Sequence, residues 1–417
     1  MSAVLSILIL WGGISMTFAT GFVQRKLGVG TKMAFVKESG QEGLSSFGIL
    51  CTTLAATLGT GNIVGVATAV TAGGPGALLW MVAASVPCMA LKYAECALSV
   101  KYGGPFAYIQ NTLGKFGAKA FAFCGAAAGM LGFGTLTQAD GIVTVLQHSL
   151  DPLKQQKWWG IPTVSLVAAI CVAMLAGVVL WGGVKRITTV CETVVPMMAL
   201  GYIVCCALIL FRCRGGLLKA ITEILQGAVS LRAGWGGLLG TVSLGISRGI
   251  FSNEAGLGSA PIASAQAKDQ NPVRQGLIGQ SGVFIDTTLM CTLSGLCLVV
   301  TGSYTAGLDG AAVTALAFES VLGKLAGVML GVFLCFFAFT TIVGWYFYAR
   351  QCFCYLTEER GEKIFRFLYV GMILLTPLFS TRRIWGLADW LSAGMALPNL
   401  VALWKLRRQI PLFKTNK

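Results

Sequence analysis

Two short stretches interrupt otherwise apolar segments of this chain, Gly59-Thr60-Gly61-Asn62 and Phe251-Ser252-Asn253-Glu254-Ala255-Gly256. Each sets glycines and polar side chains where a helix crossing lipid should run unbroken. Hydrocarbon offers no partner to a freed amide or carbonyl, so such breaks persist only where they line a cavity or hold something. Two interrupted helices at comparable places in two halves of a chain point to the binding site of a transporter.

That reading requires lipid as the solvent. Of the 417 residues 55% are hydrophobic and 11% charged, with mean hydropathy +0.76, against about 25% charge in a soluble domain. About eleven apolar runs are long enough to span a bilayer. They fall near 3–22, 47–72, 76–100, 118–148, 160–182, 189–211, 236–262, 275–302, 326–350, 364–380 and 386–404. An all-α polytopic membrane protein is therefore expected. An odd number of spans separates the starts of the two broken ones, so the units they open would be inverted. Residues 47–211 form a first repeat and 236–404 a second, inverted one, with 1–22 an extra N-terminal helix and 405–417 a basic tail.

The net charge of +15 lies in short loops, not in a stripe fit for nucleic acid. Arg25, Lys26, Lys32 and Lys37 follow the first span, and Lys405, Arg407, Arg408, Lys414 and Lys417 end the chain. Alternating spans put both groups on one side, which the positive-inside rule makes cytoplasmic. The N-terminus is then outside and the C-terminus inside a bacterial-type plasma membrane, with the basic loops meeting anionic lipid. The stretch from Arg212 to Arg232 departs from that bias, and Leu217–Val229 within it reads as an amphipathic helix along the outer interface. Most of the cysteines that matter to the count sit inside apolar runs and read as small buried hydrophobes. A single histidine, His148, excludes an HExxH metal site. A matched pair of intramembrane aspartates is also missing, so an enzyme is not expected.

In Thr53–Val66 the spacing is GxGxxxG with no strand before it, which is not a dinucleotide fingerprint. Gly61 and Gly65 would serve as a helix-packing face, or the helix unwinds at Gly59–Gly61. In the second case its N–H groups face an anion and its freed carbonyls a cation, to which Asn62 adds a side-chain oxygen. In the second segment Arg248 and Glu254 are expensive in lipid; they either pair across the break or serve a site. Gln138, with Asp140 beside it, offers an amide able to bond either end of a zwitterion. Thr340 and Thr341 bond their own helix or give two oxygens to a hard cation. Glu95 pairs with Lys92 at a helix end, Asp286 is a proton site or a helix–helix bond, and Glu192, Glu319 and Asp389 read as structural.

At these motifs the chain resembles the alanine or glycine:cation symporter family, the sodium:alanine symporters. The likeness covers nearly the whole length and is carried by residues 54–81, 92–109, 181–187, 271–277, 284–296, 337–345 and 395–400, and above all by SRGIFSNEAGLGSAPIASAQA at 247–267. It implies a LeuT-type fold with a 5+5 inverted repeat and sodium-coupled uptake of small neutral amino acids: alanine, glycine and plausibly D-alanine. Na+ would be the coupling ion, with no organic cofactor. Carried onto matching positions, the amides of Thr60 and Gly61 would hold the substrate carboxylate. The carbonyl of Thr57 and the turn Leu244–Ser247, with Gly245 inside it, would hold the amine, and Gln138 would close the pocket. One sodium would lie among the carbonyls of Ala55, Leu58 and Phe337 and the hydroxyls of Thr340 and Thr341. A second would lie near Thr57 and Asn62. The register of the second break could instead place it at Ser252–Gly256. The chain departs from the family in a short N-terminus, in a missing insert before Gly103, and in the Ala-Asp that follows Gln138, which would set the Asp140 carboxylate near the pocket.

Overall fold

The computed structural model describes residues 3–36, 43–149, 157–158, 161–230, 234–379 and 381–413. Lys37, Arg232, Lys414 and Lys417, used above for orientation, lie outside them. Helix α1 (Ala3–Ala19) ends where Gly21 and Phe22 both turn left-handed, at φ 63° and 61°. The chain then bends by 70° into a further helical stretch, Val23–Ala34, closed by α2 (Leu27–Ala34). The first apolar run, expected at 3–22, is thus helix α1 followed by a bend, with a second helical stretch beyond it.

The next unit is broken where the sequence interrupts it. Helix α3 (Ser46–Thr57) opens on Ser45, whose hydroxyl accepts the Gly48 amide, and a 65° bend at Thr60–Asn62 separates it from α4 (Val64–Gly73). Then follow α5 (Gly76–Tyr102), α6 (Pro105–Leu131), α7 (Leu136–Ser149), α8 (Thr163–Trp181), α9 (Gly183–Arg212) and α10 (Arg214–Ala228). Between α7 and α8 a two-residue antiparallel pair, β1 (Lys157–Trp158) and β2 (Ile161–Pro162), is the single strand pairing among the described residues. The second half comprises α11 (Gly234–Asn253), α12 (Ala260–Ser264), α13 (Pro272–Val283), a π-helical stretch at Phe284–Cys291, α14 (Thr292–Thr301), α15 (Ala311–Leu322), α16 (Lys324–Thr357), α17 (Glu362–Leu375) and α18 (Thr381–Leu406).

Among the described residues six helical stretches are long and apolar enough to cross a membrane, one of them running through α6 and α7 and another from α13 to α14, and the two bent pairs bring the number to eight. The other expected spans fall on α11 with α12, α17 and α18. All are helical, but α17 has only 14 residues, and α11 and α18 bury polar side chains, Ser252 and Asn253 on the one and Ser392 and Asn399 on the other. A further departure concerns the expected span 118–148. It is interrupted at Gly132–Thr135, a third break, between α6 and α7. Helix α10 covers the predicted amphipathic stretch, burying Ala220, Ile224 and Ala228 and leaving Leu218 76% exposed.

Helices α3 and α4 lie at the centre. Almost every side chain of α3 is buried on all faces, as for a helix surrounded by others. It packs on α9 and α16, α5 packs on α11 and α13, and α6 on α16 and α18.

The long unbroken helix α5 supplies the charges that hold the second break. Lys92 and Glu95 are both buried, one turn apart, with 4.0 Å between Nζ and Oε2. Lys92 Nζ donates to the Glu254 carbonyl at 3.0 Å. Glu95 Oε1 accepts the Gly258 amide at 3.1 Å and the Asn399 side-chain amide at 2.6 Å. Asn399 Nδ2 also donates to the Gly256 carbonyl at 2.9 Å, and its Oδ1 accepts Tyr108 at 2.5 Å. The freed backbone of the break is thereby bonded from α5 and α18, with Tyr108 of α6 holding the Asn399 amide in place. Removing one partner of such a buried set typically costs about 3–5 kcal/mol. Glu95→Ala should therefore lower the thermal unfolding temperature in detergent markedly, and Glu95→Gln, which keeps an acceptor, by less than half as much. Labelling of the 14 cysteines, all of them free thiols and mostly buried, with a thiol-reactive fluorophore reads this out; equal melting of Glu95→Ala and wild type would remove the network from the account of stability.

Candidate functional site

Helix α3 stops because Leu58 leaves helical geometry (ψ 80°) and Gly59 follows fully extended. The Gly59 amide is held by the Thr57 carbonyl at 2.9 Å and by Asn62 Oδ1 at 3.2 Å. The Asn62 oxygen thus caps the break. A Cβ on Gly59 would lie 2.8 Å from Thr341 Oγ1 and 3.2 Å from Gln138 Oε1, so only glycine lets α16 and α7 close on this point.

Thr341 Oγ1 stands 3.0 Å from the Ala55 carbonyl, 3.4 Å from that of Leu58 and 3.0 Å from that of Phe337. Four oxygens from two helices and one break converge there. Thr340 Oγ1 shares the Phe337 carbonyl at 3.0 Å but turns toward Met198 of α9, 3.6 Å away. The set is all hydroxyl and carbonyl oxygen, the donor type of a hard monovalent cation. Helix α16 reaches the break because Gly344, one turn on, lies against α3: a Cβ there would come within 2.8 Å of the Ala56 amide.

On the other side of Gly59–Gly61 lies a small cavity bounded by Ala56, Thr57, Gln138, Phe133, Phe251, Ser252, Glu254, Thr341 and Trp345. The space open to a water's centre is about 10 Å³, close to what one water needs. Three rings form its wall, Phe133 lying 4.8 Å from Phe251 and 5.5 Å from Trp345, centroid to centroid. Gln138 Oε1 is 3.4 Å from both the amide and the hydroxyl of Thr60. Thr57 lines the cavity while its hydroxyl bonds back to the Thr53 carbonyl at 3.2 Å.

The second break is not where the turn Leu244–Ser247 was expected. Leu244, Gly245 and Ser247 are inside α11; Ser247 Oγ donates to the Leu244 carbonyl at 3.2 Å, and a Cβ on Gly245 would lie 2.3 Å from the Ala77 carbonyl of α5. These residues pack α11 on α5 and do not line the cavity. The helix ends later, at Asn253, where Glu254 is left-handed at φ 54° and Gly256 and Gly258 follow at 86° and 77°. Glu254 Oε1 accepts the Trp345 indole at 2.8 Å and Oε2 accepts Ser259 at 2.8 Å. Arg248 is out of ion-pair reach of Glu254, which excludes the cross-break pair considered above. Asp140, two residues beyond Gln138, is half-buried and does not itself line the cavity.

Asn62 instead joins the two breaks to the π-helical stretch. Its Nδ2 lies 2.8 Å from Asp286 Oδ1 and 3.1 Å from Ser252 Oγ. Asp286 Oδ2 accepts Ser252 and Thr287, both at 2.7 Å. A π turn widens the helix and recurs at functional places; here it carries a fully buried carboxylate to both broken helices.

Four residues of the site were not foreseen in these roles: Phe133, Phe251, Trp345 and Ser252. The Gly-Phe-Gly at 132–134 carried a signal for the third break. Its freed carbonyls are taken by Thr137, at 3.1 Å from that of Gly132, and by Tyr369, at 3.0 Å from that of Gly134.

Residues 1–413 match the sodium:alanine symporter family. The chain belongs to that family. It is 37% identical over 423 residues to "Sodium/alanine symporter AgcS" of Methanococcus maripaludis, covering 95% of this chain and 90% of that protein. It is 34% identical over 441 residues to "Putative sodium/proton-dependent alanine carrier protein YrbD" of Bacillus subtilis, with 95% and 88% covered. Among solved structures it superposes on MhsT in complex with L-phenylalanine at TM-score 0.64, with 16% identity, over 88% of this chain and 90% of that one. The fold is thus LeuT-like, and the chain is a membrane transporter of an amino-acid symporter family, not an enzyme.

The contact of α16 with α3 gives a direct test within this family member. Gly344→Val should push Thr341 away from Ala55 and Leu58 and lower amino-acid uptake at least tenfold. Uptake within twofold of wild type, in protein that melts normally, would show that this close approach does not set the site.

Proposed function

We propose that this symporter couples the entry of small neutral amino acids, alanine and glycine first and D-alanine among the candidates, to sodium. The observation that carries the reading is the convergence of the Ala55, Leu58 and Phe337 carbonyls on Thr341 Oγ1, directly behind a break whose other side bounds the small aromatic-walled cavity. Sodium held by these oxygens would tie α16 to the break and order it. The amides of Thr60 and Gly61, at the start of the second half-helix, would then take the substrate carboxylate. Gln138 closes the pocket over Thr60. The end of α11 at Phe251–Glu254 replaces Leu244–Ser247 as the surface facing the amine.

Size selection follows from the ring wall. Each methylene that fails to fit costs roughly 1–3 kcal/mol, so alanine is separated from leucine by several such increments. Transport would proceed by alternating access about the midplane site, with the N-terminus outside and the C-terminus in the cytoplasm. The driving force would be the sodium gradient plus about 2.3 kcal/mol per charge per 100 mV.

Uptake of labelled alanine into proteoliposomes under an inward sodium gradient tests this. Saturable, sodium-dependent accumulation is expected, and Gly61→Leu should abolish it, since a Cβ there already meets the Phe251 ring at 3.6 Å. Thr341→Val should raise the half-saturating sodium concentration at least tenfold, and Thr340→Val, whose hydroxyl turns to Met198, less than threefold. Folded protein that accumulates none of alanine, glycine and serine with sodium would overturn the proposal.

A proton-coupled reading is favoured by one observation, the Asp286 carboxylate shared by Asn62, Ser252 and Thr287. Under it, alanine accumulates with an inward proton gradient in the absence of sodium, a protonophore collapses that accumulation, and Asp286→Asn removes it.

A further inference from the structure

A groove of about 400 Å³ runs between α1 and α18, outside the transport site. Leu8, Trp11 and Met16 line it from α1, and Leu397, Leu400 and Trp404 from α18. Its surface is almost wholly hydrocarbon and aromatic. Trp11 and Trp404 lie 6.4 Å apart and are 55% and 44% exposed.

The mouth of the groove carries unneutralised positive charge. Lys405 is part of its lining, and Arg407 stacks over the Trp404 ring at 4.5 Å. Arg408 follows, exposed. Lys405 donates to the Thr112 carbonyl at 3.0 Å and Arg407 to that of Trp404 at 2.8 Å. These partners are neutral; among the described residues no carboxylate pairs with any of the three. The collar is also held in place. Lys101 bonds the Gln409 carbonyl at 2.9 Å and Tyr93 that of Pro411 at 2.7 Å, so the tail is pinned against α5.

We propose that this groove binds one anionic phospholipid, an acyl chain lying between α1 and α18 and the phosphate against Lys405, Arg407 and Arg408. A basic pocket between membrane helices beside an apolar channel suits both parts of such a molecule, while a neutral lipid would satisfy only the channel. The lipid would cement the additional helix α1 to the last helix of the second half.

The test is lipid retention by full-length protein extracted in mild detergent from vesicles of equal phosphatidylglycerol and phosphatidylcholine, read by native mass spectrometry. Wild type should retain phosphatidylglycerol over phosphatidylcholine at least fivefold. Changing Lys405, Arg407 and Arg408 together to Gln should bring that ratio within twofold of unity. Leu397→Trp, which fills the groove from its open side, should lower retention of bound lipid at least threefold. A control with Lys185, Arg186 and Lys363 changed to Gln, all exposed and away from the groove, should keep the wild-type ratio. Thermal unfolding confirms that each variant is folded. An equal loss in the control, or no preference in wild type, would overturn the proposal. So would a dimer dispersed by Leu397→Trp, since the groove would then be a contact between two copies.

Discussion

A helix interrupted inside a membrane frees amides and carbonyls that lipid cannot bond, and in this symporter those groups are bonded by side chains, some from other helices and some from the interrupted segments themselves. At the first break the work falls to Asn62 and Thr341, at the second to Lys92, Glu95 and Asn399, and at the third to Thr135, Thr137 and Tyr369. Most of these partners are fully buried. Buried polar groups of this kind are costly when half-satisfied and rigid when fully satisfied. The irregular backbone is therefore a defined object, and the oxygens and amides it presents keep a fixed geometry.

The breaks also share partners. Asn62 caps the first and reaches Ser252 at the end of α11, and Asp286 bonds both from the π turn. Thr341 sits behind the first break while Trp345, one turn later on the same helix, bonds Glu254 of the second. A change at either broken helix is thus felt through α16 and through Asp286 at the other. That arrangement suits a protein in which occupation of one small site must be registered by two halves of the molecule. It also places the ring wall on three separate segments, Phe133 in the third break, Phe251 on α11 and Trp345 on α16, so the cavity's size depends on how those segments close.

Much of this was legible in the chain. Breaks at Gly59–Asn62 and Ser252–Gly256 stand out because glycine and polar residues are rare in lipid-exposed helix, and the position of Thr340–Thr341 in an apolar run marks a helix facing something polar. Three matters were not legible. The turn assigned to Leu244–Ser247 is continuous helix, because small residues there serve close packing on Ala77, and a local pattern of glycines does not distinguish packing from unwinding. The bend after Ala19 depends on two consecutive left-handed residues, one of them Phe22, whose side chain gives no warning. That the Asn62 oxygen caps the Gly59 amide, beside the Thr57 carbonyl, follows from the geometry of the turn and not from the residue type.

Sequence by itself determined the solvent, the helical class, the family and the two principal places where the helices open, since hydropathy and glycine placement are local properties and lipid enforces them strictly. Tertiary structure decided which oxygens meet. Ala55, Leu58, Phe337 and Thr341 come from segments nearly three hundred residues apart in the chain, and Lys92, Glu254 and Asn399 from helices still more widely spread. Their meeting depends on close helix crossings at glycines such as Gly344, a matter of backbone distance that no single segment encodes.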